Sequence, residues 1–160
     1  MARTPARGTQ RTSRIELGTA PGLRSRMWYG GAGAASAEWA GQHSMNFLTS
    51  SVLRVPEETT PDFDAIQLSH IRAFRAADPA GGAARVSQGL VVIPTDSASP
   101  SQVSRYKAYV EARTPRALFP VGPARMLFSV DLLGTSDEIA EALYARAAFR
   151  EVTEVAFALP

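Results

Sequence analysis

From Gly22 onward the chain alternates short apolar runs with segments whose apolar residues recur every three or four positions. The first rhythm predicts buried strands and the second amphipathic helices. Arg26-Met27-Trp28-Tyr29 reads as a strand ended by Gly30-Gly31-Ala32-Gly33, and Ala34 to Ala40 as a short helix running to Gly41. Met45-Asn46-Phe47-Leu48 predicts a second strand, closed by Thr49-Ser50-Ser51 and followed by a loop with Pro56 and Pro61. Asp62 to Ala77 places Phe63, Ile66, His70, Ile71 and Phe74 on one helical stripe, which Gly81-Gly82 stops. Val86 to Ile93, rich in β-branched residues and bounded by Pro94, is the third strand.

Two helix starts are written in capping chemistry. Ser99-Pro100-Ser101-Gln102 combines a Ser cap, a proline in the first turn and a glutamine at the capping-box position. Val103, Tyr106 and Val110 form the expected inner face of that helix, and Pro115 follows its end. After a loop with Pro115, Pro120 and Pro123, Thr135-Ser136-Asp137-Glu138 makes a second capping box, with two acids at the positive end of the helix dipole. Ile139 and Leu143 are its inner pair, and Thr153 to Leu159 is the fourth strand.

Four strand-helix units in a row argue for a parallel α/β sheet. A doubly wound sheet and a section of a (β/α)8 barrel both fit. Four strands over residues 22–160 are about half of what a ~250-residue barrel needs, and the chain ends on a strand with no helix after it. Both observations favour the barrel section. Such a sheet has two open edges and an uncovered face.

Composition narrows the chemistry. Of 160 residues, 45% are hydrophobic and 20% charged, enough for a core. No apolar run reaches the ~18 residues of a membrane span, so no membrane partner is expected. Cysteine is absent and histidine occurs twice, which excludes disulfides, thiolate sites and multi-histidine zinc. Residues 1–26 carry six arginines against Glu16, whereas the remainder carries 11 basic and 14 acidic groups. The segment 1–21 reads as a disordered basic tail, resembling a transit peptide or nucleic-acid arm in composition. Aromatic residues are not interleaved with basic ones in the remainder, so no nucleic-acid partner is expected. The tail lacks the apolar segment of a secretory signal, and the expected location is cytoplasmic.

Trp28-Tyr29-Gly30-Gly31, the following helix with Trp39-Ala40, and Met45 through Ser51 resemble bacterial luciferase-like flavin-dependent monooxygenases. So do Gln67-Leu68 through Arg75, Arg85-Val86-Ser87, and above all Gly134 through Ala140 together with Glu154 through Pro160. The resemblance covers residues 22–160. It implies the C-terminal half, strands five to eight, of a luciferase-like (β/α)8 TIM barrel that oxidises a small organic substrate with reduced flavin and O2. FMN is the implied cofactor, with a deazaflavin in some branches. The family's usual catalytic histidine would lie before Met1, neither His43 nor His70 reads as catalytic, and the catalytic residues stay unassigned.

The glycine turn is the main chemical candidate. Small residues between a strand and a helix start let backbone N–H groups approach an anion, aided by the helix dipole. The resemblance implies that this anion is the flavin phosphate, contacted by Gly30, Gly31, Gly33 and Ser36. Gly33 and Ala35 stand where relatives often carry Ser and Arg, leaving backbone groups and the dipole as the main holders. Thr49 and Ser50, at the C-terminal end of the second strand, are expected to add hydroxyls to phosphate or ribityl oxygens. Trp28 and Tyr29 read as core aromatics, with packing near the isoalloxazine as the alternative, His43 as a helix-end cation and His70 as a satisfied core histidine. No metal site is expected.

Two functions remain open on sequence alone. One is a flavin-dependent monooxygenase half that works with a separately encoded half or with a second copy of itself. The other is a catalytically inactive barrel fragment, acting at most as a flavin-binding or association module.

Overall fold

The structure, a computed structural model, describes residues 22–57 and 60–159; the basic tail lies outside the described residues. Seven strands and five helices follow in the order β1 (Trp28–Gly31), α1 (Ala34–Gln42), β2 (Asn46–Thr49), β3 (Val52–Arg54), α2 (Phe63–Ala77), β4 (Val86–Pro94), α3 (Pro100–Arg113), α4 (Pro115–Leu118), β5 (Met126–Phe128), β6 (Leu132–Gly134), α5 (Ser136–Ala145) and β7 (Glu154–Ala158). The fold is α/β with a mostly parallel sheet. Its backbone is β1-β2-β4, all parallel, with β7 parallel to β4 over Ser87–Val91 and β6 parallel to β4 over Val92–Pro94. Strands β1, β2, β4 and β7 thus pair in chain order, with no reversal between them.

Three short strands were not expected. β3 and β5 form a separate antiparallel ribbon, Val52 opposite Phe128 and Arg54 opposite Met126, where a plain loop was predicted after Ser51. β6 lies in what read as loop ahead of the second capping box. The expected first strand also moves: it begins at Trp28 and takes in Gly30 and Gly31, because these pair with Leu48 and Thr49. The second strand likewise runs to Thr49.

The helical starts follow the capping chemistry. Asp62 Oδ1 accepts the Ala65 N–H at 3.0 Å, and both capping boxes close: Ser99 N–H donates to Gln102 Oε1 at 2.8 Å and Thr135 N–H to Glu138 Oε2 at 2.7 Å. Asp96 adds to the second box, accepting the Ser136 N–H and hydroxyl. That hydroxyl bond, foremost, holds the Asp96 carboxyl below its ordinary pKa.

The principal core lies on one face of the sheet. Ala37 and Ala40 of α1, Ile71 and Phe74 of α2, Phe47 of β2 and Val86 of β4 are buried together, with Phe47 and Phe74 stacked at 5.4 Å. Leu90 and Val92 pack on Leu132, Ile139 and Leu143, and the β3–β5 ribbon covers Ile66 with Leu53 and Leu127. The expected stripe on α3 is weaker than its spacing implies: Val103, Tyr106 and Val110 are half-buried and no α3 residue is fully buried. Helix α1 continues through Gly41, which is buried where α1 meets α2. A Cβ there would stand 2.5 Å from the Phe74 carbonyl oxygen and 2.9 Å from the Asp78 nitrogen.

Candidate functional site

The glycine turn sits at the C-terminal end of β1 and opens directly into α1. Gly33 is the N-cap, with extended backbone (φ −153°) and no side chain to cap the helix, and no acid occupies the first turn. The first return bond of α1 runs from the Ala37 N–H to the Gly33 carbonyl at 3.2 Å, so the N–H groups of Ala34, Ala35 and Ser36 precede the helical ladder. The turn is tied down from outside. Arg54 N–H donates to the Ala32 carbonyl at 2.7 Å, which brings Arg54, an exposed cation, beside the turn.

The three glycines differ in what they do. A Cβ on Gly31 would come within 2.7 Å of Ser36 Cβ and 3.1 Å of the Phe47 ring, so this glycine lets β1 pass close under α1. A Cβ on Gly30 or Gly33 would meet nothing within 4 Å. Space for a ligand oxygen therefore exists over Gly30 and Gly33, while Gly31 and half-buried Ser36 face each other.

Thr49 and Ser50 part company at the end of β2. Thr49 is fully buried and its Oγ1 accepts a hydrogen bond from Gln67 Nε2 at 3.3 Å, on the α2 side of the sheet. The structure does not bring its hydroxyl to the turn surface. Ser50 stays half-buried in the following loop, its Oγ accepting the Val52 N–H at 3.1 Å and its carbonyl accepting from Gln67 Nε2.

Behind Thr49 lies a buried amide pair that the apolar pattern did not single out. Gln67 and Gln88 are both fully buried, and Gln88 Nε2 donates to Gln67 Oε1. Gln88 Oε1 has no partner. One signal was readable: Gln88 shares its strand face with Val86 and Leu90, a position where alternation calls for an apolar residue.

The aromatic pair of β1 splits across the sheet, correcting the expectation that both are core. Tyr29 packs on the principal core, whereas Trp28 is 36% exposed beneath the Arg85 guanidinium. His43 caps the end of α1, its Nδ1 against the Trp39 carbonyl at 2.8 Å and its ring stacked on Trp39. His70 is buried as expected, but not satisfied, since its Nδ1 has no partner. Burial pushes the His70 pKa below the ordinary histidine value.

A pH dependence follows from His70. The unfolded chain takes up a proton near pH 6.5 more readily than the folded one, so the stability contribution is complete above that pH and is lost as pH falls below it. Denaturant titrations from pH 7.5 to 5 are expected to show a steeper loss for the wild type than for His70→Leu. Parallel curves would refute the assignment.

Clefts of about 420 Å³, lined by Tyr144, Phe149 and Val155 among others, and about 400 Å³, beside Pro100 and Lys107, lie away from the glycine turn. Among the described residues no group of three or more metal-ligating side chains converges, and no helix is long and apolar enough to cross a membrane. The chain matches no protein-family model and no curated protein sequence.

Proposed function

We propose that the Gly30–Gly33 turn and the N-terminus of α1 hold the phosphate of FMN, or of a deazaflavin, within the C-terminal half of a luciferase-like (β/α)8 barrel. The observation that carries this reading is the uncapped start of α1 at Gly33, with open space over Gly30 and Gly33. The pairing of β1, β2, β4 and β7 in chain order supports the barrel assignment.

In this reading the N–H groups of Ala34, Ala35 and Ser36 donate to phosphate oxygens, Ser36 Oγ adds a hydroxyl, and the dipole favours the dianion. Gly30 and Gly33 leave room for the oxygens, while Gly31 seats Ser36 against β1. Arg54 supplies positive charge that Ala35 does not. Ser50 is the remaining hydroxyl at the strand ends. Thr49 acts through Gln67, whose amide also holds the Ser50 carbonyl, and so positions the loop. The bound flavin supplies the redox chemistry toward O2 and a small organic substrate.

The inactive flavin-binding module is the second reading, favoured by one feature. Among the described residues, neither of the two clefts described above adjoins the turn, so neither offers a ring pocket beside the phosphate seat.

The test uses Gly33→Asp. Aspartate is a preferred N-cap, so the variant is expected to keep or raise the melting temperature while its carboxylate occupies the anion position. Wild type is expected to bind FMN at least about tenfold more tightly than riboflavin, roughly 1.4 kcal/mol. Gly33→Asp is expected to erase that preference. Equal binding of FMN and riboflavin by the wild type refutes the phosphate seat.

A further inference from the structure

We propose that two copies of this chain associate about a two-fold axis running along the strands. Each β1 edge lies against the other copy's β7 edge, so that eight parallel strands close into one barrel. The inference rests on strand edges and one sheet face, and stands whether or not flavin binds.

Among the described residues β1 pairs only with β2, and β7 only with β4. Both edges therefore carry unpaired backbone donors and acceptors, and both belong to parallel strands. The edges of a parallel sheet are not equivalent to each other, so β1 of one copy meets β7 of the next in a head-to-tail contact. Repeated with a rotation of half a turn, that contact closes after two copies and leaves no edge. In each copy β1, β2, β4 and β7 lie side by side, with β6 adding only beside Val92–Pro94 at the end of β4, so two copies give eight such strands, the number at which side chains fill a barrel interior.

The face that would line the interior is built for such a partner. Register places Gly30 of β1, Leu48 of β2, Gly89 of β4 and Ala156 and Ala158 of β7 on the face opposite the core helices. Gly30, Ala156 and Ala158 are exposed, and Leu48 and Gly89 half-buried. These are small or apolar side chains that two facing sheets can interleave.

Charge on this face is already balanced. Arg85 pairs with Glu154 and lies 5.0 Å from the Trp28 ring centroid. Two copies brought together by the two-fold therefore confront neutral, paired groups rather than like charges. The same ion pair leaves no lone charge to bury.

The full chain should sediment at twice its monomer mass from low to high micromolar concentration. Ala156→Lys, an exposed position, puts an unpaired cation in the interior and is expected to yield a folded monomer with unchanged circular dichroism. Tyr144→Lys, on the helix side, is expected to remain dimeric. A second measurement does not depend on that variant. Gly30 and Ala156 lie three strands apart within one chain, roughly 14 Å, too far for a disulfide. Because the chain has no cysteine, oxidising a mixture of Gly30→Cys and Ala156→Cys chains is expected to give the mixed disulfide dimer in excess of either like pair.

A wild-type monomer at all concentrations overturns the proposal, and would leave these edges to a different chain. Open-ended oligomers overturn closure. A dimer that survives Ala156→Lys but yields no mixed disulfide overturns the interface.

Discussion

Phe74→Ala is expected to cost about 3–5 kcal/mol, the range for emptying a packed aromatic site. Phe74 is fully buried, stacks on Phe47, and sits in the cluster that joins α1, α2, β2 and β4. Few neighbours there can collapse into the space, since Ala37 and Ala40 are short and fixed by α1. A domain of this size has only about 5–15 kcal/mol in total. Urea titration should therefore show a midpoint lowered by at least about 1 M. Tyr144→Ala, at a 68% exposed ring, is the comparison and should change stability by no more than about 0.5 kcal/mol. A Phe74→Ala midpoint close to that of the wild type would show that α2 does not dock as described.

Gly41→Ala is expected to destabilise by about 2 kcal/mol although alanine is the better helix former. Propensity alone would favour the substitution by about 1 kcal/mol. The new methyl, however, would stand 2.5 Å from the Phe74 carbonyl oxygen, 2.9 Å from the Asp78 nitrogen and 3.0 Å from Ala77 Cβ. Two of those atoms are backbone and do not yield by a rotamer change, so α1 and α2 must separate. Thermal melts of Gly41→Ala separate the two causes by sign, since propensity would raise the melting temperature and the clash lowers it. Stabilisation at Gly41 would mean that the helices cross at a greater distance.

Much of the fold was legible because local chemistry and periodicity agreed. Phe63, Ile66, His70, Ile71 and Phe74 define the α2 stripe, and Ser99-Gln102 and Thr135-Glu138 each satisfy both halves of a capping box. The β3–β5 ribbon was not legible, since three-residue strands are too short to display an alternation and their partner lies some 70 positions away. The end of β1 shifted because Gly30 and Gly31, poor strand formers, are held by pairing with β2 rather than by their own preference.

Site residues depended on parity. Along β2, Phe47 and Thr49 share the face that packs on α2, while Leu48 points the other way, so the register decided that the Thr49 hydroxyl is buried. Composition cannot supply that one-residue distinction. The open start of α1 was legible from Gly33 and Ala34 onward, whereas the approach of Arg54 required the β3 backbone to meet Ala32.

The partnership of β4 with β7 also sets an order in time. Val86 and Thr153 hydrogen-bond across 67 residues, whereas α1 and α2 meet within one β-α-β-α stretch. Nearby segments find one another first, because closing a longer loop loses more chain entropy. During refolding the β1-to-α2 part therefore consolidates while the β7 side of β4 is still waiting for its strand. In that interval Leu90 and Val91 present an open hydrophobic edge to other chains. Dilution, which slows meetings between chains but not within one, consequently favours recovery of the native fold.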